Sequence, residues 1–174
     1  DIIKAATLFA DDKSLSIYSG FVKGHALNNK DYFAKPDLQH KYFPEDVPLN
    51  KGYKCFIDCG ASTGETFEIL EKRRIIPKKI IMFEPDKYNF TSLSIKMRSK
   101  EQEAILYPCA VYSKTGFCKF SHSSTQGSSI TSNSSEFVQC VALDEILVNI
   151  KPTFIKMDIE GSEYEALLGA KSTI

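Results

Sequence analysis

The residues able to do chemistry in this chain are carboxylates set beside glycines. Asp58 closes an apolar run (Cys55, Phe56, Ile57). Gly60 and Gly64 then bracket a tight turn, and a helix-like pattern opens at Glu65, Phe67, Ile69 and Leu70. A buried strand, a Gly-rich turn and a helix N-terminus form the cofactor-binding corner of Rossmann-like α/β folds. A carboxylate ahead of the first glycine repels a dinucleotide pyrophosphate and welcomes a cationic ligand. S-adenosylmethionine, with its sulfonium and α-ammonium groups, is a cofactor of that kind. The nicotinamide fingerprint needs G-x-G-x-x-G and the phosphate-binding loop needs Gly-Lys-Ser/Thr; the sequence offers neither here.

The next acid falls where an adenosine cofactor needs one. Ile80, Ile81, Met82 and Phe83 read as a second buried strand ending on Glu84 and Pro85, one strand–helix–strand step beyond Asp58. A carboxylate there accepts both ribose hydroxyls of an adenosine, nicotinamide cofactors included. Asp58 and Glu84 together favour S-adenosylmethionine; the plainer reading is a pair of strand-end carboxylates on a fold of unassigned ligand.

A third strand-like run, Thr153 to Met157, ends on Asp158 and continues through Ile159, Glu160 and Gly161 into a helix. Asp158 is the first candidate for a general base on an acceptor hydroxyl, with Glu160 as a second base or an oxygen ligand for a divalent cation. No metal site is otherwise nominated. Lys156 shares a strand face with Asp158 by period-two geometry and is a candidate to assist the acceptor oxygen. Against this, Asp158 and Glu160 are equally read as caps at the positive end of the next helix. His122 is read as a solvated loop residue rather than a base, and His25 and His40 lack a metal-ligand pattern.

With these blocks in order, the chain resembles the FkbM-type methyltransferase family. The resemblance rests on DCGASTGET (58–66), FEPD (83–86), Ala110-Val111, ALDEIL (142–147) and IKMDIEGSEYEALLGA (155–170), and spans about residues 40 to 174. It implies a class I, Rossmann-like S-adenosylmethionine-dependent O-methyltransferase fold: a mostly parallel sheet with helices on both faces, whose C-terminal strands are absent from this chain. It implies acceptors among sugars, glycans and secondary metabolites. The donor is then expected at the carboxyl ends of the first three strands. Asp58 would meet its α-amino end, Gly60, Ala61, Ser62 and Gly64 its methionine portion, and Glu84 its ribose. Its adenine would lie by Cys109, Ala110 and Val111, with apolar contact from Pro85.

The positioning elements follow from periodicity and punctuation. Strands are expected at 54–59, 79–84, 104–108, near 116–121, 136–142 and 153–158, with helices at 64–75, 86–99, 143–150 and 161–172. Alternation of this kind argues for a parallel sheet. Residues 1–50 read as an N-terminal helical extension and a proline-punctuated connector (Pro36, Pro44, Pro48), and 51–174 as the catalytic domain. Eight serines between Ser121 and Ser135 read as a mobile hairpin loop and candidate substrate flap. The chain starts without methionine and stops just after the helix that follows its fourth parallel strand, so part of a longer protein is expected.

Composition limits the function classes. With 43% hydrophobic and 25% charged residues, 174 residues suffice for a buried core. Acids and bases balance at 22 each, so bulk electrostatics draw the chain neither to nucleic acid nor to an anionic membrane. No apolar run reaches the roughly 18–20 residues of a membrane span. Five scattered cysteines without C-x-x-C fit reduced thiols in a cytoplasmic protein. Two other classes stay open: an adenosine-cofactor oxidoreductase, and a non-catalytic remnant that keeps the fold without an acceptor pocket. The sequence does not identify the acceptor or the oligomeric state.

Overall fold

The computed structural model describes residues 2–37, 40–44, 47, 49–121, 129–130 and 135–174. The chain divides into two compact units, Asp1–Pro48 and Leu49–Ile174.

The first unit is helical. α1 (Ile2–Ala6) precedes α2 (Asp12–Ala26), and a short 3-10 turn follows at Lys30–Tyr32. Asp11 caps α2 by accepting the Ser14 N–H at 2.7 Å, satisfying a donor that the helix itself leaves unpaired. The Tyr18 hydroxyl donates to the Ile2 carbonyl at 3.2 Å, and the Phe9 and Tyr18 rings stand 5.0 Å apart.

In the second unit, β1 (Cys55–Cys59), α3 (Glu65–Lys72), β2 (Lys79–Phe83), α4 (Lys87–Arg98) and β3 (Glu103–Tyr107) alternate as the sequence leads one to expect. β4 (Ala110–Val111), β5 (Gly116–Ser121), β6 (Ser129–Ile130), β7 (Glu136–Val141), α5 (Leu143–Ile146), β8 (Phe154–Met157) and α6 (Glu163–Leu168) complete it. Among the described residues β3, β2, β1 and β8 form one sheet in that order, with every neighbouring pair parallel. The strands read as near-continuous apolar runs because this parallel sheet is flanked by helices. The architecture is Rossmann-like α/β.

One face of the sheet packs Ile57, Cys59, Ile81 and Phe83 into a core with Val141, Leu143, Ala166 and Ala170. On the other face, Phe56, Ile80 and Met82 are buried, as are Phe67 and Leu70 of α3 and Leu93 of α4. Two ion pairs tie α3 to α4 and the turn just after it: Glu68 with Lys96, and Glu71 with Lys100 at 2.8 Å.

A second sheet, in order β4, β7, β5, β6, sits apart in hydrogen bonding. Its β4–β7 pair is parallel, whereas β7–β5 and β5–β6 are antiparallel. The sequence signalled β5 and β7, but a strand of only two residues at Ala110–Val111 is too short for a periodicity to reveal. Most of the serine-rich stretch, including His122, lies outside the described residues, so the expected flap does too.

Helix ends differ from expectation for backbone reasons. α3 stops at Lys72 because Arg74 adopts a left-handed φ of 57°. α6 starts at Glu163, two residues late, because Glu160 and Gly161 take φ of 56° and 96°.

Candidate functional site

The Gly-rich turn between β1 and α3 is held from both sides. The Gly60 and Ala61 N–H groups both donate to the Phe83 carbonyl, each at 3.0 Å, tying the turn to the end of β2. Gly60 has φ of 80°, and a Cβ there would collide with the Asp158 carbonyl oxygen. Its glycine is therefore demanded by the chain's own backbone before any ligand is considered. Gly64 is the N-cap of α3 with φ of 94°, and a Cβ would press Leu93 and Lys96 of α4 at 3.1 and 3.2 Å. Among the described residues no side chain caps α3, so its first N–H groups face the turn without an internal partner.

Glu84, buried just past β2, is fixed at both carboxylate oxygens. The Ser62 N–H donates to Oε2 at 2.7 Å and the Asp86 N–H to Oε1 at 2.9 Å. Burial raises its carboxyl above the ordinary range, and these two bonds together with the Asn89 side chain oppose that rise. Asp86 in turn caps α4 by accepting the Tyr88 and Asn89 N–H groups at 2.8 and 2.9 Å. Pro85 lies half-buried between the two acids.

Asp58 lies at the carboxyl end of β1, as the sequence suggested, but one residue inside the strand and 0% exposed. Register sets it between Met82 of β2 and Lys156 of β8. Lys156 Nζ lies 3.0 Å from Asp58 Oδ1 and also donates to the Gly60 carbonyl at 2.7 Å. Desolvation pushes the Asp58 carboxyl up to about 6, against the opposing pull of Lys156 and of the Thr66 hydroxyl in the first turn of α3. Lys156, expected to face the acceptor, is instead buried, its ammonium turned beneath the turn.

Asp158 and Glu160 are exposed in the loop after β8. The Asp158 N–H donates to the Cys59 carbonyl at 3.2 Å, so this loop abuts the Gly-rich turn. The N-cap of α6 is Ser162, whose side chain makes no capping bond. Glu163 reaches back to accept the Ile159 N–H at 2.9 Å. Neither Asp158 nor Glu160 occupies the cap position that the plainer sequence reading gave them.

Cys109 and Ala110 are buried directly after β3, Ala110 in β4 beside Cys140 of β7. The Cys109 thiol is pushed up to about 11 by burial, and that of Cys59 is raised by the same cause, so both stay protonated at neutral pH. The structure thus brings Gly60, Ala61, Ser62, Gly64, Glu84 and Asp158 around the carboxyl ends of β1, β2 and β8. Among the described residues no three His, Cys, Asp or Glu side chains converge as a metal site.

Three contributors escaped the sequence reading: Thr66 against Asp58, and Asp86 and Asn89 around Glu84. The last two had a signal, since Glu-Pro-Asp-x-x-Asn places a cap residue and its N3 partner straight after a strand.

A groove of about 480 Å³ runs beside β8, lined by Phe154, Met157, Leu167 and Ile174 with Lys51 and Glu163. It shares no residue with the carboxyl-end cluster.

The Methyltransferase FkbM domain family matches residues 58–174. The chain belongs to that family. Its members are methyltransferases, which implies a methyl donor. A crystal structure of Methyltransferase FkbM from Methylobacillus flagellatus KT superposes with a TM-score of 0.68 at 23% identity, over 99% of this chain and 44% of that one. At that identity the likeness speaks for the fold, and the chain spans less than half the length of this neighbour. No curated protein matches the chain. None of the helices among the described residues is long and apolar enough to cross a membrane.

Proposed function

We propose that the chain carries the donor-binding half of an S-adenosylmethionine-dependent O-methyltransferase whose acceptor is a hydroxyl of a sugar, glycan or secondary metabolite. The observation behind this reading is Glu84, tethered by the Ser62 and Asp86 N–H groups beside the uncapped N-terminus of α3. Each tether uses one lone pair of a carboxylate oxygen, which leaves further acceptor capacity for two ribose hydroxyls. The unpaired N–H groups of α3 suit a carboxylate such as that of a methionine moiety. The residues present therefore fit the donor.

When bound, S-adenosylmethionine supplies an activated methyl group. The chain's own contribution is to orient the donor and, at Asp158, to accept the proton of the acceptor hydroxyl, with Glu160 beside it. Backbone groups and apolar contacts from Cys109, Ala110 and Pro85 hold the adenine in this reading. Five free cysteines, four of them buried, support a reducing, cytoplasmic setting.

Calorimetric titration of the full protein with S-adenosylhomocysteine and, separately, NAD tests the proposal. S-adenosylhomocysteine should bind and NAD should not. Glu84→Ala should weaken the first by about 1–3 kcal/mol, the scale of charge-assisted hydrogen bonds. Tighter binding of NAD would reassign the site to an oxidoreductase, and an unchanged dissociation constant in Glu84→Ala would remove the ribose assignment.

A further inference from the structure

Lys156 takes no part in the chemistry just described, yet the fold goes to some trouble to keep it. Its ammonium sits in a parallel sheet with only 6% of the residue exposed. A buried cation is costly unless it is paired and hydrogen-bonded. Two groups meet that need: Asp58 Oδ1 at 3.0 Å, its register partner on β1, and the Gly60 carbonyl at 2.7 Å. The second contact leaves the strand altogether and reaches the first residue of the Gly-rich turn.

At that point the turn is fastened from both flanks of β1. The Gly60 N–H is tied to Phe83 at the end of β2, and the Gly60 carbonyl is tied to Lys156 of β8. With both its N–H and its carbonyl fixed, Gly60 keeps its φ of 80° and sets the direction in which Ala61, Ser62 and Thr63 leave the strand. Ser62 is the residue whose N–H orients Glu84. A single ammonium on β8 is thus linked, through two peptide units, to the carboxylate assigned to the ribose.

We infer that Lys156 is a positioning residue for the donor: it fixes the Gly60 carbonyl and thereby the shape of the donor-binding turn, while Asp58 serves Lys156 rather than the donor. This inference rests on the proposed S-adenosylmethionine site. It separates two effects that a simple structural ion pair would keep together. Asp58 provides the counter-charge that lets Lys156 be buried. Lys156 provides the turn geometry.

The test uses Lys156→Met, Asp58→Asn and the double variant in the full protein, with S-adenosylhomocysteine as probe. Each is measured by calorimetry well below its melting temperature and by thermal unfolding. Asp58→Asn removes the counter-charge of a buried ammonium and should lose melting temperature. Its amide oxygen still accepts from Lys156 and the Gly60 contact is kept, so its affinity should stay within about threefold of wild type. Lys156→Met strands a buried carboxylate, and should lose both melting temperature and at least about tenfold in affinity. The double variant removes both charges. Its melting temperature should recover most of the loss, while its affinity should remain about tenfold weak because the Gly60 carbonyl is still unheld.

Recovery of affinity along with melting temperature in the double variant would overturn the inference, since Lys156 would then act only through stability. A loss of tenfold or more in Asp58→Asn would overturn it as well, by making Asp58 the donor's partner. These two variants decide the matter even if Lys156→Met does not fold. Wild-type protein that fails to bind S-adenosylhomocysteine at all would instead remove the proposed site and this inference with it, a result distinct from the other two.

Discussion

Asp58 and Asp158 lie at the same end of neighbouring parallel strands, and their surroundings are opposite. Asp58 is wholly buried, paired with Lys156 and covered by the first turn of α3, with its carboxyl pushed up to about 6. Asp158 lies one residue past β8, exposed, in a loop whose next residues take left-handed backbone. The difference comes from register. β1 and β8 end together at the Cys59–Met157 pair, with Asp58 one residue inside that end and Asp158 one residue beyond it. Two register positions separate an aspartate enclosed by the sheet from one exposed in a loop.

The sharpest way to break this comparison is Asp158→Asn in the full protein. If Asp158 is the base, turnover, read as S-adenosylhomocysteine released with a mixed sugar acceptor pool, should fall by about 10²–10⁴, with donor affinity unchanged within about twofold. Near-normal turnover would place the proton acceptor elsewhere. Loss of wild-type activity in EDTA would make Asp158 and Glu160 candidate ligands rather than bases.

Gly60→Ala probes the contact between the two regions. The new Cβ meets the Asp158 carbonyl and must also adopt a φ of 80°. Strain and overpacking together should cost about 2–4 kcal/mol in denaturant unfolding. A cost below about 1 kcal/mol would show that the loop after β8 yields freely, contrary to a rigid junction.

The smallest expected effect concerns Asp58 and pH. Its folded carboxyl titrates near 6, above the ordinary 3.8, so between those values the native state holds a proton that the unfolded chain has released. Wild type should therefore gain stability relative to Asp58→Asn as pH falls from about 6 towards 4, by on the order of 1–3 kcal/mol. The same difference should shrink as pH rises through 6. A flat or reversed difference would mean that Lys156 outweighs desolvation at Asp58.

Much of the framework was legible in the sequence because its signals are local. Strands β1, β2 and β8 contain the runs Phe56-Ile57, Ile80–Phe83 and Phe154–Met157, with bounds within a residue of those expected. The FEPD block signalled both Glu84 and the start of α4. What stayed hidden depends on residues distant in the chain. A lysine inside Phe-Ile-Lys-Met-Asp demands an acidic partner, but nothing local says that the partner is Asp58. The link from Lys156 to Gly60 spans 96 positions. Period-two geometry set Lys156 on the face of Asp158 and so sent it toward the acceptor, because it says nothing about the neighbouring strand. The late start of α6 was equally unreadable, since a glutamate in left-handed backbone at position 160 has no compositional mark.

The pairing of β1 with β8 also orders events during synthesis. The Thr153 hydroxyl and Cys55 backbone meet across 98 positions, so β1 leaves the ribosome with its β8 side open. At about 5–20 residues per second, that edge waits roughly 5–20 s for its partner. Until β8 is made Asp58 lacks its partner Lys156, and burying an unpaired carboxylate between strands is costly. Arrival of β8 then closes the edge and pairs the charge together, so that β8 licenses the burial of β1.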